Sequence, residues 1–227
     1  MSTFFVSGTD TDAGKTFVST ALLAAAQVKG LSTAAVKPVA AGAAATETGL
    51  RNDDALALQA AMTMSLPYEQ INPVCFEPAI APHIAAAQLN KHVTASRLSG
   101  FCRGVMMKGA DLTLIEGAGG WRVPLNPREN LSHLVQELKV PVILVVGMRL
   151  GCINHALLSA EAIVNDGLQI AGWVANRIDP NMACYEENLA TLKARLPFAC
   201  LGEVPWMPDA EPIEAAAFLD IGKMLKA

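Results

Sequence analysis

The chain has 227 residues, of which 52% are hydrophobic and 17% charged; that is enough apolar material for one large α/β domain and excludes a disordered chain. Its net charge is −4 with no stripe of Lys and Arg, which excludes nucleic acid as a partner, because that affinity begins with phosphate neutralisation. Five cysteines stand apart without a CxxC pair, so free thiols are expected and a zinc site is not.

Apolar runs then alternate with amphipathic stretches along the whole chain. Thr3 to Ser7 reads as a buried strand, Lys15 to Lys29 as a helix ended by Gly30, and Thr33 to Val36 as a second strand closed by Lys37 and Pro38. Ala40 to Asn52 is rich in small residues and reads as a loop near the site, mobile or simply at the surface. Helices are predicted over Asp53 to Met62, Pro82 to Leu89 and Thr94 to Lys108, with Pro82 in a first turn where its missing N–H costs nothing. Leu112 to Ile115 is a strand and Leu131 to Leu138 a helix. Val142 to Val146 gives the clearest strand signal, a continuous apolar run after Pro141. Ile153 to Asn165 is a helix, Ile170 to Ala175 a strand, Tyr185 to Leu196 a helix and Cys200 to Val204 a last strand. Strands that are apolar throughout and alternate with helices imply parallel pairing with right-handed crossovers. The expected fold is therefore a doubly wound, mostly parallel α/β sheet flanked by helices, in a single domain over residues 1–227. No signal peptide or membrane-length apolar run is read in the sequence, and a cytoplasmic location is expected.

The informative segment is Gly8-Thr9-Asp10-Thr11-Asp12-Ala13-Gly14-Lys15-Thr16, which follows a strand and opens a helix. Successive backbone N–H groups there can wrap a phosphate, and the helix N-terminus adds partial positive charge. Lys15 is spaced to reach the β- and γ-phosphates, and the Thr16 hydroxyl to bind magnesium. Five residues separate the glycines instead of the usual four. Asp10 and Asp12 bring like charge to a polyphosphate, so they must point away, act through a metal, or face a cation.

A nucleoside triphosphate brings magnesium, which takes oxygen ligands. Glu116 ends an apolar strand at the edge where ligands collect in open α/β sheets. Asp53 or Asp54, in Arg51-Asn52-Asp53-Asp54, is a second candidate; periodicity does not choose between them. Lys37, ending the neighbouring strand, is suited to stabilise charge on a transferring phosphoryl group. Gly117-Ala118-Gly119-Gly120 lets a ligand approach the backbone closely. Gly151-Cys152-Ile153-Asn154-His155 begins a helix whose free N–H groups suit a carboxylate. His155 reads as structural rather than as a base, and His83, His92 and His133 have no partner pattern.

Together the segments GTDTDAGKT, VKPVAAG, LRNDDALAL, IEGAGG, LVVGMRLGCINHA, GWVAN and GEVPW resemble the dethiobiotin synthetase family, from about residue 3 to residue 207. The longer phosphate loop is that family's own form. The resemblance implies a P-loop enzyme that joins 7,8-diaminononanoate and carbon dioxide, spending ATP with Mg2+: one amine becomes a carbamate, the carbamate is phosphorylated, and the second amine closes a cyclic urea. It further implies Thr16, Asp54 and Glu116 as metal ligands and Asp12, Ala13, Gly14, Lys15, Thr16 and Phe17 around the phosphates. Lys15 and Lys37 would neutralise the migrating phosphoryl group, and Thr11 would lie near the carbamate. Glu116, Gly117, Ala118 and Gly119 would sit between nucleotide and substrate. Asn176, with Arg177, would meet the adenine edge, bordered by Pro205, Trp206 and Met207. The family is a homodimer in which Gly151, Cys152 and Asn154 would grip the substrate's carboxylate across the interface.

Two positions depart from the family's pattern. Ala41 replaces a usual Ser in the substrate region, a lost hydroxyl contact worth about 0.5–1.5 kcal/mol. Ala81 replaces a Ser before Pro82-His83, removing a helix cap worth about 1 kcal/mol. Two other families share the fold. Partition or cell-division ATPase switches carry an extra lysine near the start of the loop, where this chain has Asp10, and Ile213 to Lys226 has too weak a basic face for a membrane helix. Cobyrinate amidotransferases need a glutamine-hydrolysing domain for which this chain is too short.

Overall fold

The computed structural model describes residues 1–225; Lys226, at the end of the segment weighed above for membrane binding, lies outside them. In chain order the elements are β1 (Ser2–Gly8), α1 (Lys15–Val28), β2 (Thr33–Val36), β3 (Val39–Ala41), β4 (Ala44–Thr46), β5 (Gly49–Arg51), α2 (Asp53–Ala61), α3 (Tyr68–Ile71), β6 (Val74–Phe76), α4 (Pro82–Gln88) and α5 (Ala95–Met106). They continue with β7 (Leu112–Glu116), α6 (Leu131–Leu138), β8 (Val142–Met148), α7 (Cys152–Asn165), β9 (Ile170–Arg177), α8 (Tyr185–Arg195), β10 (Cys200–Val204), α9 (Pro212–Ala216) and α10 (Ile221–Met224).

Six strands form one parallel sheet in the order β10-β9-β8-β1-β7-β2. Every residue of β7 and of β8 is buried, which requires cover on both faces, as expected for strands joined by helical crossovers. Their Leu and Ile side chains each contribute about 1.5–3 kcal/mol on leaving water. From the central β1 the chain winds to the β2 edge, returns through β7, crosses to β8 and winds outward to β10. β1 and β8 are thus neighbours whose following connections leave in opposite directions, and the crevice at their carboxyl ends is where open α/β sheets take ligands.

Register sets the chemistry at that edge. Val36 lies opposite Ile115, and Val6 opposite Glu116. Lys37, one residue past β2, is therefore brought level with Glu116. Gly8 lies opposite Val145, so the loop after β1 emerges beside the end of β8.

The expected strands and helices are all present, most with ends moved by one or two residues. The region from Ala40 to Asn52 is a correction. It is not a structureless loop: it finishes β3, which pairs with β6, and then forms the antiparallel hairpin of β4 and β5. The small residues Ala44 and Ala45 give no apolar alternation because both hairpin strands lie at the surface. No helix among the described residues is long and apolar enough to cross a membrane.

Candidate active site

The loop after β1 ends on Gly14, in the left-handed region at φ 82°, and α1 begins at Lys15. A side chain at Gly14 is barred twice. The left-handed conformation disfavours a Cβ, and that Cβ would stand 2.0 Å from Asn176 Nδ2. Asn176, at the carboxyl end of β9, donates from the same nitrogen to Ala13 O at 3.0 Å. Part of the amide expected to meet adenine thus already fastens the phosphate loop to the sheet.

Asp10 does not stand unopposed. Its Oδ2 accepts from Arg149 Nη2 at 2.5 Å, and its Oδ1 accepts from Thr11 N at 2.8 Å. Of the three roles open to the loop aspartates, Asp10 takes the third and faces a cation, one supplied by the connection after β8. Asp12 is exposed, in the left-handed region at φ 58°.

Four side chains converge behind the loop. Thr16 Oγ1 donates to Glu116 Oε1 at 2.7 Å, and Lys37 Nζ donates to the same oxygen at 2.8 Å. Lys37 Nζ also lies 2.5 Å from Asp54 Oδ2. Glu116 is 0% exposed, Lys37 4% and Lys15 7%. Glu116 Oε2 is buried with no hydrogen-bond partner, a costly arrangement for a carboxylate oxygen unless a cation or donor joins it.

The two lysines differ electrostatically. Burial lowers the pKa of Lys15, and the positive charge of Lys37 lowers it further. Burial acts the same way on Lys37, but the carboxylates of Glu116 and Asp54 outweigh it and raise its pKa. For Asp54 burial is outweighed by the Lys37 ammonium, and its pKa falls. The charged forms of Lys37 and Asp54 thus stabilise each other, while Lys15 is disfavoured as a cation by burial and by its neighbour Lys37.

Asp54 owes its position to Asn52, whose Oδ1 accepts from Ala55 N at 3.2 Å and caps α2. Asp53 and Asp54 both fall in the first turn, where the helix dipole favours carboxylates. Of the two, Asp54 lines the cavity beside the loop and meets Lys37; Asp53 is exposed.

That cavity has a volume of about 660 Å3, within the ordinary range for a small-molecule site. Its wall includes Thr11, Lys15, Thr16, Lys37, Asp54 and Ala41, together with Ala118, Gly119, Gly120 and Arg122. Close approach explains one of the glycines: a Cβ at Gly117 would lie 2.8 Å from the Phe5 ring. Ala81 stands at the start of α4 with no side-chain cap, in keeping with the lost serine.

Other expected residues lie outside this cavity. Asn176, Arg177, Pro205, Trp206 and Met207 are at or beyond the carboxyl ends of β9 and β10, with Arg177 and Pro205 lining a second hollow. Gly151, Cys152 and Asn154 open α7. The Cys152 thiol is buried, and its N–H is taken by Arg149 O at 3.0 Å. The helical ladder starts with His155 N to Gly151 O, so the N–H groups of Ile153 and Asn154 have no backbone partner.

Several organising residues carried no sign of a role at the site in the sequence. Asp166, at the end of α7, accepts from Trp121 Nε1 at 2.8 Å and from both Arg122 nitrogens at 2.6 and 2.9 Å, fastening the wall that follows Gly117–Gly120. Tyr68 and Asn72 link main chain near Asp54 to main chain at Lys37. Neither group falls in a motif, and the four-residue α3 is too short for periodicity to reveal.

A family model described as an AAA domain matches residues 2–214. An ATP-dependent dethiobiotin synthetase BioD from Cellvibrio japonicus is 61% identical over 99% of this chain and 98% of its own length. Proteins of the same name from Pseudomonas aeruginosa (59%, 97% of each chain) and Aeromonas salmonicida (48%, 98% of each chain) are similar throughout. Among solved structures, the septum site-determining protein MinD from Pyrococcus horikoshii superposes with a TM-score of 0.56 at 17% identity, covering 99% of this chain and 90% of its own. A MinC:MinD complex from Aquifex aeolicus gives 0.58 at 14%, covering 100% and 89%. These two likenesses concern the fold alone.

Proposed function

The chain belongs to the ATP-dependent dethiobiotin synthetase family, and on that premise we propose that it makes dethiobiotin from 7,8-diaminononanoate, carbon dioxide and ATP. One amine of the substrate attacks carbon dioxide and loses a proton to give a carbamate. A carbamate oxygen takes the γ-phosphoryl group of ATP, releasing ADP. The second amine attacks the carbamoyl carbon, closes the ureido ring and expels phosphate. No enzyme-bound covalent intermediate enters this sequence.

The residues divide the work as follows. The backbone from Asp12 to Phe17 holds the phosphates at the start of α1. Lys15 and Lys37 offset the negative charge that spreads over the transferring phosphoryl group. Thr11, on the cavity wall, faces the carbamate. Gly117, Ala118 and Gly119 sit between nucleotide and substrate. Asn176 and Arg177, with Pro205, Trp206 and Met207, border the base. Gly151, Cys152 and Asn154 offer the start of α7 to the substrate's carboxylate in a homodimer, the partner completing that end of the site. The chain acts as one domain in the cytoplasm.

The donor set fits magnesium. Thr16, Asp54 and Glu116 offer a hydroxyl and two carboxylates, the usual protein share for a Mg2+ that also takes phosphate and water oxygens, and Glu116 Oε2 has no other partner. When bound, the ion would offset charge on the β- and γ-phosphates.

The observation that carries this reading is the meeting of Lys37, Thr16 and Asp54 around Glu116 at one end of a cavity lined by the phosphate loop. Protein mixed with ATP, magnesium and bicarbonate should release phosphate only when diaminononanoate is added. Phosphate release indifferent to the diamine would instead indicate an ATPase switch.

A further inference from the structure

Lys37 and Asp54 form an ion pair in this structure, yet the proposed function gives each a different ligand. Lys37 turns to the phosphoryl group and Asp54 to the metal. Once both are engaged, their mutual attraction no longer holds β2 and α2 at a fixed separation.

A second, uncharged connection joins the same two places. Asn52 N, at the cap of the helix bearing Asp54, donates to Tyr68 Oη at 2.7 Å. Tyr68 Oη donates to Asn72 Oδ1 at 3.1 Å, and Asn72 Nδ2 donates to Lys37 O at 2.7 Å. Lys37 N donates in turn to Ile71 O at 2.7 Å. Tyr68 opens α3 and Asn72 caps its end one helical turn later, with Asn72 N bonded to Tyr68 O at 2.8 Å. Asn52, Tyr68 and Asn72 are all buried, so no solvent competes for these bonds. The Arg51 guanidinium lies 4.2 Å from the Tyr68 ring centroid and pins it from one side. Burial also raises the pKa of the phenol, keeping it a donor.

We propose that the Tyr68 hydroxyl is a positioning group for phosphoryl transfer, holding the Lys37 main chain and the start of α2 in register while their side chains exchange each other for ligands. The hydroxyl touches neither substrate. It acts through Asn52 and Asn72, and the inference rests on the roles proposed above for Lys37 and Asp54.

The test is Tyr68→Phe, which keeps the ring and removes the bridge, with Asn72→Ala cutting the same chain at its other link and Asp54→Asn as control. Binding of ADP is measured by calorimetry over a magnesium series, alongside kcat. Asp54→Asn should raise the magnesium midpoint. Tyr68→Phe should raise it about tenfold and lower kcat by a similar factor, the scale at which outer hydrogen-bond partners affect metal sites, with metal-free ADP affinity unchanged. Because the two links act in series, the Tyr68→Phe/Asn72→Ala double variant should be no worse than the worse single variant. A midpoint that moves for Asp54→Asn but not for Tyr68→Phe overturns this inference alone. A midpoint unmoved by Asp54→Asn overturns the metal assignment on which it rests. Additive losses, accompanied only by a lower Tm, would assign the chain to general stability and reject the positioning role.

Discussion

Lys37 Nζ donates to Glu116 Oε1 at 2.8 Å, and neither side chain has meaningful access to water. Removing one partner of such a pair strands the other charge. Lys37→Ala should therefore destabilise the ligand-free protein by about 3 kcal/mol, read from urea unfolding, and magnesium with ADP should recover much of it by bringing a cation back to Glu116. In the reaction the same substitution should lower kcat far more than it weakens ATP binding, because the ammonium acts on charge that develops during transfer. Comparable losses in kcat and ATP affinity would make Lys37 a ground-state phosphate clamp instead.

Gly14 has no room for a methyl group. Gly14→Ala places a Cβ 2.0 Å from Asn176 Nδ2 at a φ of 82°. The backbone strain alone costs about 1–2 kcal/mol, and the loop must also release Asn176. ATP binding by calorimetry should fall below detection while circular dichroism remains that of a folded protein. Retained affinity would mean that the loop tolerates detachment from β9.

Asp166 should reveal itself in acid. Burial would raise its pKa, but the hydrogen bonds and charge of Arg122, with the Trp121 indole, outweigh it and lower the value. The folded protein therefore holds this proton less tightly than the unfolded chain. The stabilisation is complete above the ordinary aspartate value of about 3.9 and disappears as pH falls through the lower folded value. Asp166→Asn should cost on the order of 1 kcal/mol near neutrality, and its unfolding free energy should converge on that of the original protein as pH drops below about 3.9. A gap that stays constant down that range would contradict the depressed pKa.

Ala41→Ser tests the substrate end. Ala41 lines the cavity, while its carbonyl is held by Asn52 Nδ2 at 3.3 Å, so a hydroxyl can be added without disturbing the backbone. A regained contact of about 0.5–1.5 kcal/mol corresponds to an about two- to twelvefold lower KM for diaminononanoate, with the KM for ATP unchanged. Steady-state kinetics at saturating ATP decides it; a shift in the ATP constant alone would place Ala41 away from the diamine.

Local chemistry made much of this protein legible in its letters. The run GTDTDAGKT between a strand and a helix specifies its own conformation: glycine at a left-handed position, free N–H groups, and Lys15 and Thr16 on the first turn of α1. The apolar runs of β7 and β8 announced a sheet covered on both faces, because such strands have no polar side to turn to water. What remained hidden depends on groups distant in sequence. Strand register brings Lys37 level with Glu116 across 79 positions, and the turn of α2 brings Asp54 rather than Asp53 to the ammonium. Arg149 meets Asp10 across 139 positions because β1 and β8 are neighbours. The hairpin of β4 and β5 and the short α3 lack the alternation or length that periodicity needs. Backbone conformation is set within a few residues and is written in them; ion pairs, buried hydrogen-bond chains and the separation of charges are set by which strands lie side by side, and only the folded chain decides that.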